Sequence, residues 1–158
     1  MSILKSAAKT GLSLKKDKEV AKGRTKLASM LLRIPTGLFI ANSGINKLGL
    51  EGEGAEGLQN MAAVGIPAVK EIDADTFAKI ISASEIGVGS ALLAPFIPNR
   101  LAGLGLTTFA CGLLTIYFRG EDNTESDGIR PSSDGTPLAK DSWLAAIGAA
   151  LMALPNVK

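Results

Sequence analysis

The sequence contains no histidine, a single cysteine and few aromatic residues, which make up 4% of the chain. The absence of histidine excludes a haem with a histidine axial ligand and argues against a catalytic zinc site or a Ser-His-Asp triad. Cys111 cannot form an internal disulfide, and its place in an apolar stretch favours a packing role over a reactive thiol. No phosphate-binding loop, CxxC motif or dinucleotide fingerprint occurs. We therefore expect no enzymatic activity and no cofactor of the protein's own.

Charge is also absent from long parts of the chain. Charged residues make up 20% of the sequence, but most of them lie near the N-terminus or in two acidic loops. The apolar stretches between them cover 27–48, 77–94, 101–118 and 138–154. A helix of a soluble bundle keeps one polar face along its length, whereas about 20 apolar residues suffice to cross the hydrocarbon core of a membrane. We therefore predict an all-α, integral membrane four-helix bundle at 27–158, preceded by a basic segment at 1–26.

The distribution of charge predicts how these spans are oriented. Eight Lys and Arg residues precede Leu27, Arg100 lies in the link between the second and third spans, and Lys158 ends the chain. The other two loops are rich in Asp and Glu. Because basic residues are retained on the cytoplasmic side, both termini are predicted to be cytoplasmic and both acidic loops external. This arrangement requires an even number of spans, in agreement with the apolar stretches.

The two external loops differ in pattern. In the first loop Leu58, Met61, Ala62 and Ile66 recur at helical spacing, which predicts a short amphipathic helix that lies on the membrane surface or caps the bundle. The second loop, 120–136, is acidic, rich in Ser, Gly and Asp, and has no apolar periodicity. We expect it to be solvated, and ordered only where a partner holds it.

Two ionisable residues lie within the apolar stretches, Arg33 in the first span and Glu85 in the second. Charges at such positions in a membrane are rare and are usually paired or functional. Because consecutive spans run antiparallel, we predict that Arg33 and Glu85 meet. The favoured interpretation is an ion pair that fixes the register of the two helices, and the alternative is a contact with a proton, a quinone or a substrate.

Small and polar residues flank these two charges. The small ones are Gly37, Ala41 and Gly44 on the first span, and Ser82, Gly87 and Gly89 on the second. Such residues allow close packing of helices in lipid, so we predict that these two faces pack together. Asn42, Asn46 and Lys47 lie near the outer end of the first span, and we interpret them as interhelical or headgroup contacts rather than as ligand-binding residues.

Four short segments carry a resemblance to a known family. They read RIPTGLF at 33–39, SGINKL at 43–48, MAAVGIP at 61–67 and EIGVG at 85–89. In these segments the chain resembles the DoxX family of small four-span membrane proteins, over roughly 30–154. The long acidic second loop and the short fourth span depart from the family pattern, and both suggest a place where a partner docks.

DoxX proteins are small subunits attached to membrane oxidoreductases, and this implies a function for the chain. The resemblance implies a multi-pass protein of a prokaryotic plasma membrane, whose partners are the bilayer and other membrane subunits of a respiratory complex, not nucleic acid. We favour a non-catalytic accessory subunit that assembles or stabilises a terminal oxidase or a related oxidoreductase. The alternative is a quinone-binding component that uses Arg33 and Glu85, with a bound lipid or quinone. A third hypothesis is a small transporter with Glu85 as its proton carrier.

Overall fold

A computed structural model describes the backbone of residues 2–155 and the side chains of residues 14–155. Within this range the secondary structure is helical and contains no β-strand, so the predicted all-α fold is confirmed. The α-helices are α1 (Ser2–Asn46), α2 (Glu53–Gly65), α3 (Ala74–Leu93), α4 (Asn99–Arg119), α5 (Thr136–Ala139) and α6 (Asp141–Ala153), and a 3₁₀ helix covers Pro67–Glu71. Lys158 and the side chains of Lys5 and Lys9, on which the predicted orientation partly depends, lie outside the described residues.

Helix α1 is much longer than the predicted first span. It contains 45 residues and is therefore about 67 Å long at 1.5 Å per residue. The basic segment and the apolar stretch form one helix because no proline precedes Pro35 and the residues before it are mostly good helix formers such as Ala, Leu and Lys. Helix α1 ends at Asn46, just before Gly49, which has a φ angle of 82° that a glycine adopts without strain.

The predicted amphipathic helix is present as α2. It buries Ala55, Gln59 and Gly65 and packs against α3 and α4, so it caps the bundle. The side-chain amide of Gln59 donates hydrogen bonds to the carbonyls of Val69 at 3.0 Å and Ile72 at 2.6 Å. These bonds attach the 3₁₀ helix to α2, which fixes the path from α2 into α3.

Helices α3 and α4 are antiparallel and are joined by a short link. The carboxylate of Asp73 accepts a hydrogen bond from the backbone N–H of Thr76 and so caps the start of α3. Pro95 follows the end of α3, and Pro98 precedes the start of α4, in keeping with the tendency of proline to break helices. We call the end of the bundle near 94–99 the link end, and the opposite end, near 47–75 and 119–140, the loop end.

The lengths of the helices bear on membrane insertion. Helices α3 and α4, which match the second and third predicted spans, are long and apolar enough to cross a membrane, by length and composition only. They are the two such helices in the described part of the chain, and they support a membrane protein only weakly. The apolar part of α1 is interrupted by Arg33, Pro35 and two asparagines, and α6 has only 13 residues. A crossing by these two helices remains a prediction.

Four helices enclose one hydrophobic core. Helix α1 packs along α3, and α4 packs along α6, while α3 also contacts α4 and α6 also contacts α1. The fully buried centre consists of Ile40, Leu92, Ala102, Leu106 and Leu151, which between them come from all four helices. The predicted fourth helix, 138–154, is present as α5 and α6, which are separated at Lys140.

The predicted small-residue contact between α1 and α3 is present. A Cβ atom on Gly44 would come 2.8 Å from the carbonyl oxygen of Ser82, and one on Gly89 would come 2.6 Å from the backbone nitrogen of Ala41. Both distances are too short for a real side chain, so the two backbones touch here. Gly87, by contrast, has open space around it and does not take part.

A second close contact joins α4 and α6. A Cβ atom on Gly103 would come 2.5 Å from the carbonyl oxygen of Gly148, and one on Gly148 would come 2.8 Å from that of Gly103. This contact was not predicted, although both residues lie in predicted spans. Helix α6 is short, so this glycine pair brings its backbone close enough to α4 for Leu151 to reach the core.

The second loop is closed by the chain's own hydrogen bonds, in contrast to the expectation that only a partner would order it. The hydroxyl of Tyr117 donates to the carbonyl of Ile129 at 2.8 Å, and the side-chain amide of Asn123 donates to that of Ile116 at 3.0 Å. Both acceptors are backbone oxygens, which leave no pattern in the sequence. The loop 120–135 is thereby attached to the end of α4.

The tip of this loop is a compact turn. Asp127 accepts hydrogen bonds from the side chain of Arg130 and from the backbone N–H groups of Ile129 and Arg130, and these bonds hold the pKa of its carboxyl below the ordinary value. Gly128, with a φ angle of 69°, allows the sharp reversal of the chain. The tip is therefore formed by local interactions.

Candidate functional site

Arg33 lies on the face of α1 that points toward the link end of α3, and it is 8% exposed. Its guanidinium donates hydrogen bonds to the carbonyls of Leu92 at 2.7 Å, Ile97 at 2.9 Å, Ala91 at 3.0 Å and Ala94 at 2.7 Å, and to the side-chain oxygen of Asn99 at 3.0 Å. A guanidinium has five N–H groups, and these contacts use its full donor capacity. The last carbonyls of a helix have no partner within the helix and carry partial negative charge. Arg33 therefore caps the C-terminus of α3.

Asn99 connects this cap to the rest of the link end. It is the first residue of α4, is 6% exposed, and accepts a hydrogen bond from the hydroxyl of Ser29 at 2.7 Å as well as the bond from Arg33. We call Ser29, Arg33 and Asn99, with the carbonyls they bind, the Arg33 cluster. The cluster joins α1, the end of α3 and the start of α4, so it fixes how these helices meet.

Glu85 has a different partner, Lys47. The ammonium of Lys47 lies 2.8 Å and 3.1 Å from the two carboxylate oxygens of Glu85, and 2.7 Å from the hydroxyl of Ser43. The side chain of Glu85 is 9% exposed and that of Lys47 is 23% exposed. Gly44 lies against Glu85, and the absence of a side chain there lets α3 approach α1. We call this contact the Lys47–Glu85 pair.

The predicted pair between Arg33 and Glu85 is therefore not formed, because each residue binds elsewhere. Seven residues separate Glu85 from Leu92, which accepts a hydrogen bond from Arg33, and this corresponds to about 10 Å along α3. The alternative, a quinone contact of these residues, stays a prediction. Lys47, predicted to make an interhelical or headgroup contact, makes an interhelical one.

Asn42 and Asn46 differ from Lys47. Both side chains are exposed, and within residues 14–155 neither makes a hydrogen bond to another helix. They lie on the side of α1 that also carries Phe39 and Ile45, and Phe39 is 69% exposed. The predicted interhelical contacts of the two asparagines are thus not made within this chain, and their side chains point toward its surroundings.

Large apolar side chains are exposed along the whole apolar part of α1. They are Leu27, Met30, Leu31, Ile34, Leu38, Phe39 and Ile45, and the exposed Leu48 follows just after the helix. Exposed apolar side chains continue on the other helices and the link, and Phe96 of the link is the most exposed of them at 83%. A soluble monomer rarely exposes a contiguous apolar patch of this extent. The surface is therefore suited to lipid or to the helices of another protein.

A groove of about 460 Å³ lies between α1 and the link. Its walls include Met30, Phe96 and the Arg33 cluster, and Lys26 lies at its edge. The five N–H groups of Arg33 are already used within the chain, so Arg33 holds the helices together and has no N–H group left for a ligand. Chemically, the Arg33 cluster and the Lys47–Glu85 pair stabilise helix packing.

Ser29 and Asn99 were not predicted as site residues. The sequence indicated Asn99 only weakly, as a polar residue at the start of a helix just after Pro98. In an antiparallel arrangement, the start of the third span lies at the level of Arg33, and this would have identified Asn99 as a neighbour. The carbonyl partners of Arg33 have no signal in the sequence.

Comparisons of this chain with protein-family models, with curated proteins and with solved structures found no match.

Proposed function

We propose that this protein is a multi-pass membrane protein that acts as a non-catalytic accessory subunit of a respiratory complex. It would support the assembly or stability of a terminal oxidase or a related oxidoreductase in a prokaryotic plasma membrane. The observation that carries the proposal is the exposed apolar surface of α1, in combination with polar side chains that are already paired inside the bundle.

The length of the exposed surface supports a location in the membrane. From Leu27 to Ile45 it extends over about 27 Å of helix, which is close to the roughly 30 Å hydrocarbon core of a bilayer. Helices α3 and α4 are of suitable length and composition to cross beside it. In this proposal α1, α3, α4 and the α5–α6 segment are the four spans, the link end is cytoplasmic and the loop end is external.

The short fourth span supports a partner. Helix α6, the longer continuous helix of the fourth span, has 13 residues, or about 20 Å at helical rise, which is less than the thickness of the hydrocarbon core. Such a mismatch is relieved when a helix packs against other helices, and only one side of α6 is used by α4. The other side carries Trp143, which is 68% exposed and available to another subunit.

The internal polar contacts support a non-catalytic role. Arg33 is bound to backbone carbonyls and Asn99, and Glu85 is bound to Lys47. Both contacts join helices and bind these charged groups to other groups of the same chain. The assignment to a respiratory complex, in turn, rests on the resemblance of the chain to DoxX proteins.

The experiment that tests this proposal is extraction in a mild detergent followed by native gel electrophoresis. We expect the protein to migrate with a large assembly that contains haem or other redox subunits, and to add no redox spectrum of its own. Deletion of residues 1–24 is expected to weaken this association, and more strongly at raised salt. The Lys and Arg residues of this segment attract anionic surfaces, and salt screens this attraction.

The matched control is Lys70→Gln with Lys79→Gln, which removes exposed basic charge near the loop end, leaves the basic segment intact and is expected to leave the association unchanged. Recovery of the protein as a stable monomer or homodimer, with all redox proteins migrating elsewhere, would refute the accessory-subunit proposal.

A further inference from the structure

The groove between α1 and the link has apolar walls. Met30 and Ile34 of α1 form one wall, and Leu93, Pro95 and Phe96 form the other. Met30 and Ile34 are 46% and 42% exposed, so these walls are open to the surroundings of the protein. Water is a poor occupant of an apolar groove, and an acyl chain or another apolar group is a better one.

The charges around this groove are all positive. Lys26 and Arg33 line it and no acidic residue does. Arg100 is exposed at the same end of the bundle. Among the side chains of residues 14–155 the ion pairs are Lys47–Glu85, Lys79–Glu51 and Arg130–Asp127, and none of them involves these three cations. Neutral carbonyls satisfy the N–H groups of Arg33 but leave its net charge uncompensated.

Along α1 a charged residue at the edge of the groove is followed by apolar residues deeper in it, and this order matches the charged head and apolar tail of a lipid. Lys26 precedes Arg33 by two helical turns, about 10 Å, and the two residues share a face of the helix. Met30 and Ile34 lie at the depth of Arg33 and the exposed ammonium of Lys26 lies at the outer edge of the groove. An anionic head near Lys26 would therefore have its apolar tail beside Met30, Ile34 and Phe96.

We propose that this groove binds an anionic phospholipid. The phosphodiester lies at the ammonium of Lys26, within the field of Arg33, and one acyl chain lies along the apolar walls. Basic pockets between helices on the cytoplasmic side of a membrane are suited to such headgroups. A free phosphate would leave the apolar walls uncovered, and a zwitterionic lipid would leave the positive charge uncompensated. The inference rests on the membrane location in the proposed function, but it goes beyond the accessory role.

The test uses the full chain in nanodiscs that contain phosphatidylglycerol and phosphatidylcholine in equal amounts, followed by native mass spectrometry of the lipids it retains. We expect the released protein to retain phosphatidylglycerol in preference to phosphatidylcholine. Lys26→Gln is expected to reduce this preference about fivefold, the factor that corresponds to about 1 kcal/mol for one basic residue near an anionic surface. Lys26 is exposed, so its replacement spares the packing of the bundle.

Arg24→Gln is the matched control, because Arg24 is exposed on α1 but does not line the groove. It is expected to retain the wild-type preference. Met30→Trp, which fills the groove without a change of charge, is expected to lose the lipid as well. Such a loss would show that the lipid binds in the groove and is not held by surface charge alone.

Three outcomes would overturn the inference. Equal retention of the two lipids would exclude the headgroup preference, and an equal loss in Arg24→Gln and Lys26→Gln would show diffuse surface attraction instead of a site. Displacement of the lipid by inorganic phosphate at millimolar concentration would assign the site to the free ion. These results leave the accessory role standing, whereas failure of the chain to enter nanodiscs would refute the membrane location and the lipid site together.

Discussion

Arg33 is the residue on which the link end depends most. Arg33→Met would remove the five hydrogen bonds that Arg33 donates and leave carbonyls at the end of α3 without a partner. We expect a loss of at least about 3 kcal/mol of stability, since hydrogen bonds to a charged group contribute about 1.5–3 kcal/mol each and are not additive. Arg33→Lys should recover part of this loss, because it keeps the charge but offers fewer donors.

Unfolding by a denaturing detergent, with Arg100→Met as an exposed control at the same end, provides the measurement. A second test measures the stability of the double variant Arg33→Met with Glu85→Gln. Its destabilisation should equal the sum of the single effects to within about 0.5 kcal/mol, because the two residues share no partner. A larger coupling would show that they interact after all.

Glu85 and Lys47 give a separate prediction. Glu85→Gln alone should destabilise the protein because it leaves the ammonium of Lys47 without its carboxylate. The loss should be about 2 kcal/mol, below the roughly 3–5 kcal/mol of a fully buried pair, because the side chain of Lys47 is 23% exposed and can reach polar surroundings.

The double variant Lys47→Met with Glu85→Leu should recover most of that stability, since it leaves no charge unpaired. The same unfolding measurement applies, with Lys79→Met as the exposed control on α3. If the double variant were as unstable as Glu85→Gln, the pair would not be the origin of the effect.

At the scale of the elements, the crossing of α1 and α3 depends on glycine. Gly44→Ala would place a Cβ atom 2.8 Å from the backbone oxygen of Ser82, so the two helices would have to move apart. We expect a cost of about 1–3 kcal/mol for this overpacking. Gly87→Ala on the same helix pair meets open space and should be neutral or stabilising by up to about 1 kcal/mol.

Unfolding of Gly44→Ala and Gly87→Ala side by side separates the effect of packing from that of helix propensity. Equal stability of the two variants would contradict a close approach of the backbones at Gly44. The same comparison at α4 and α6 uses Gly148→Ala against Gly105→Ala, because Gly105 also has open space.

The elements also show what the sequence could predict. The end of α3 follows from Pro95 and the start of α4 from Pro98, and the amphipathic pattern at 58–66 identified α2. The continuity of α1 across residue 26 was not predicted, because charge marks a change of environment and not a helix end. The true partner of Arg33 was missed for a different reason, since backbone carbonyls are the same at every residue and leave no trace in a sequence.

At the scale of the whole molecule, the charge distribution predicts the topology. Reporter fusions after Leu50 and after Asp127 should be external, and fusions after Arg100 and after Lys158 should be cytoplasmic, because the loops are acidic and the link end is basic. The measurement is the paired activity of a reporter that works only outside and one that works only inside. A cytoplasmic signal at Asp127 would exclude the four-span arrangement. The fusion after Leu50, which should also be external, is the reference for the fusion after Asp127.

The Arg33 cap also bears on biogenesis. Arg33 emerges from the ribosome 59 residues before Leu92, its partner in α3, so at about 5–20 residues per second it waits some 3–12 s for that partner. A lone arginine in a spanning helix costs about 2.5–3.5 kcal/mol on insertion. We therefore expect α1 to stay beside the insertion machinery until α3 and α4 arrive, and α1 should crosslink to that machinery in ribosome-stalled chains that end near residue 80 but not in the released full-length chain.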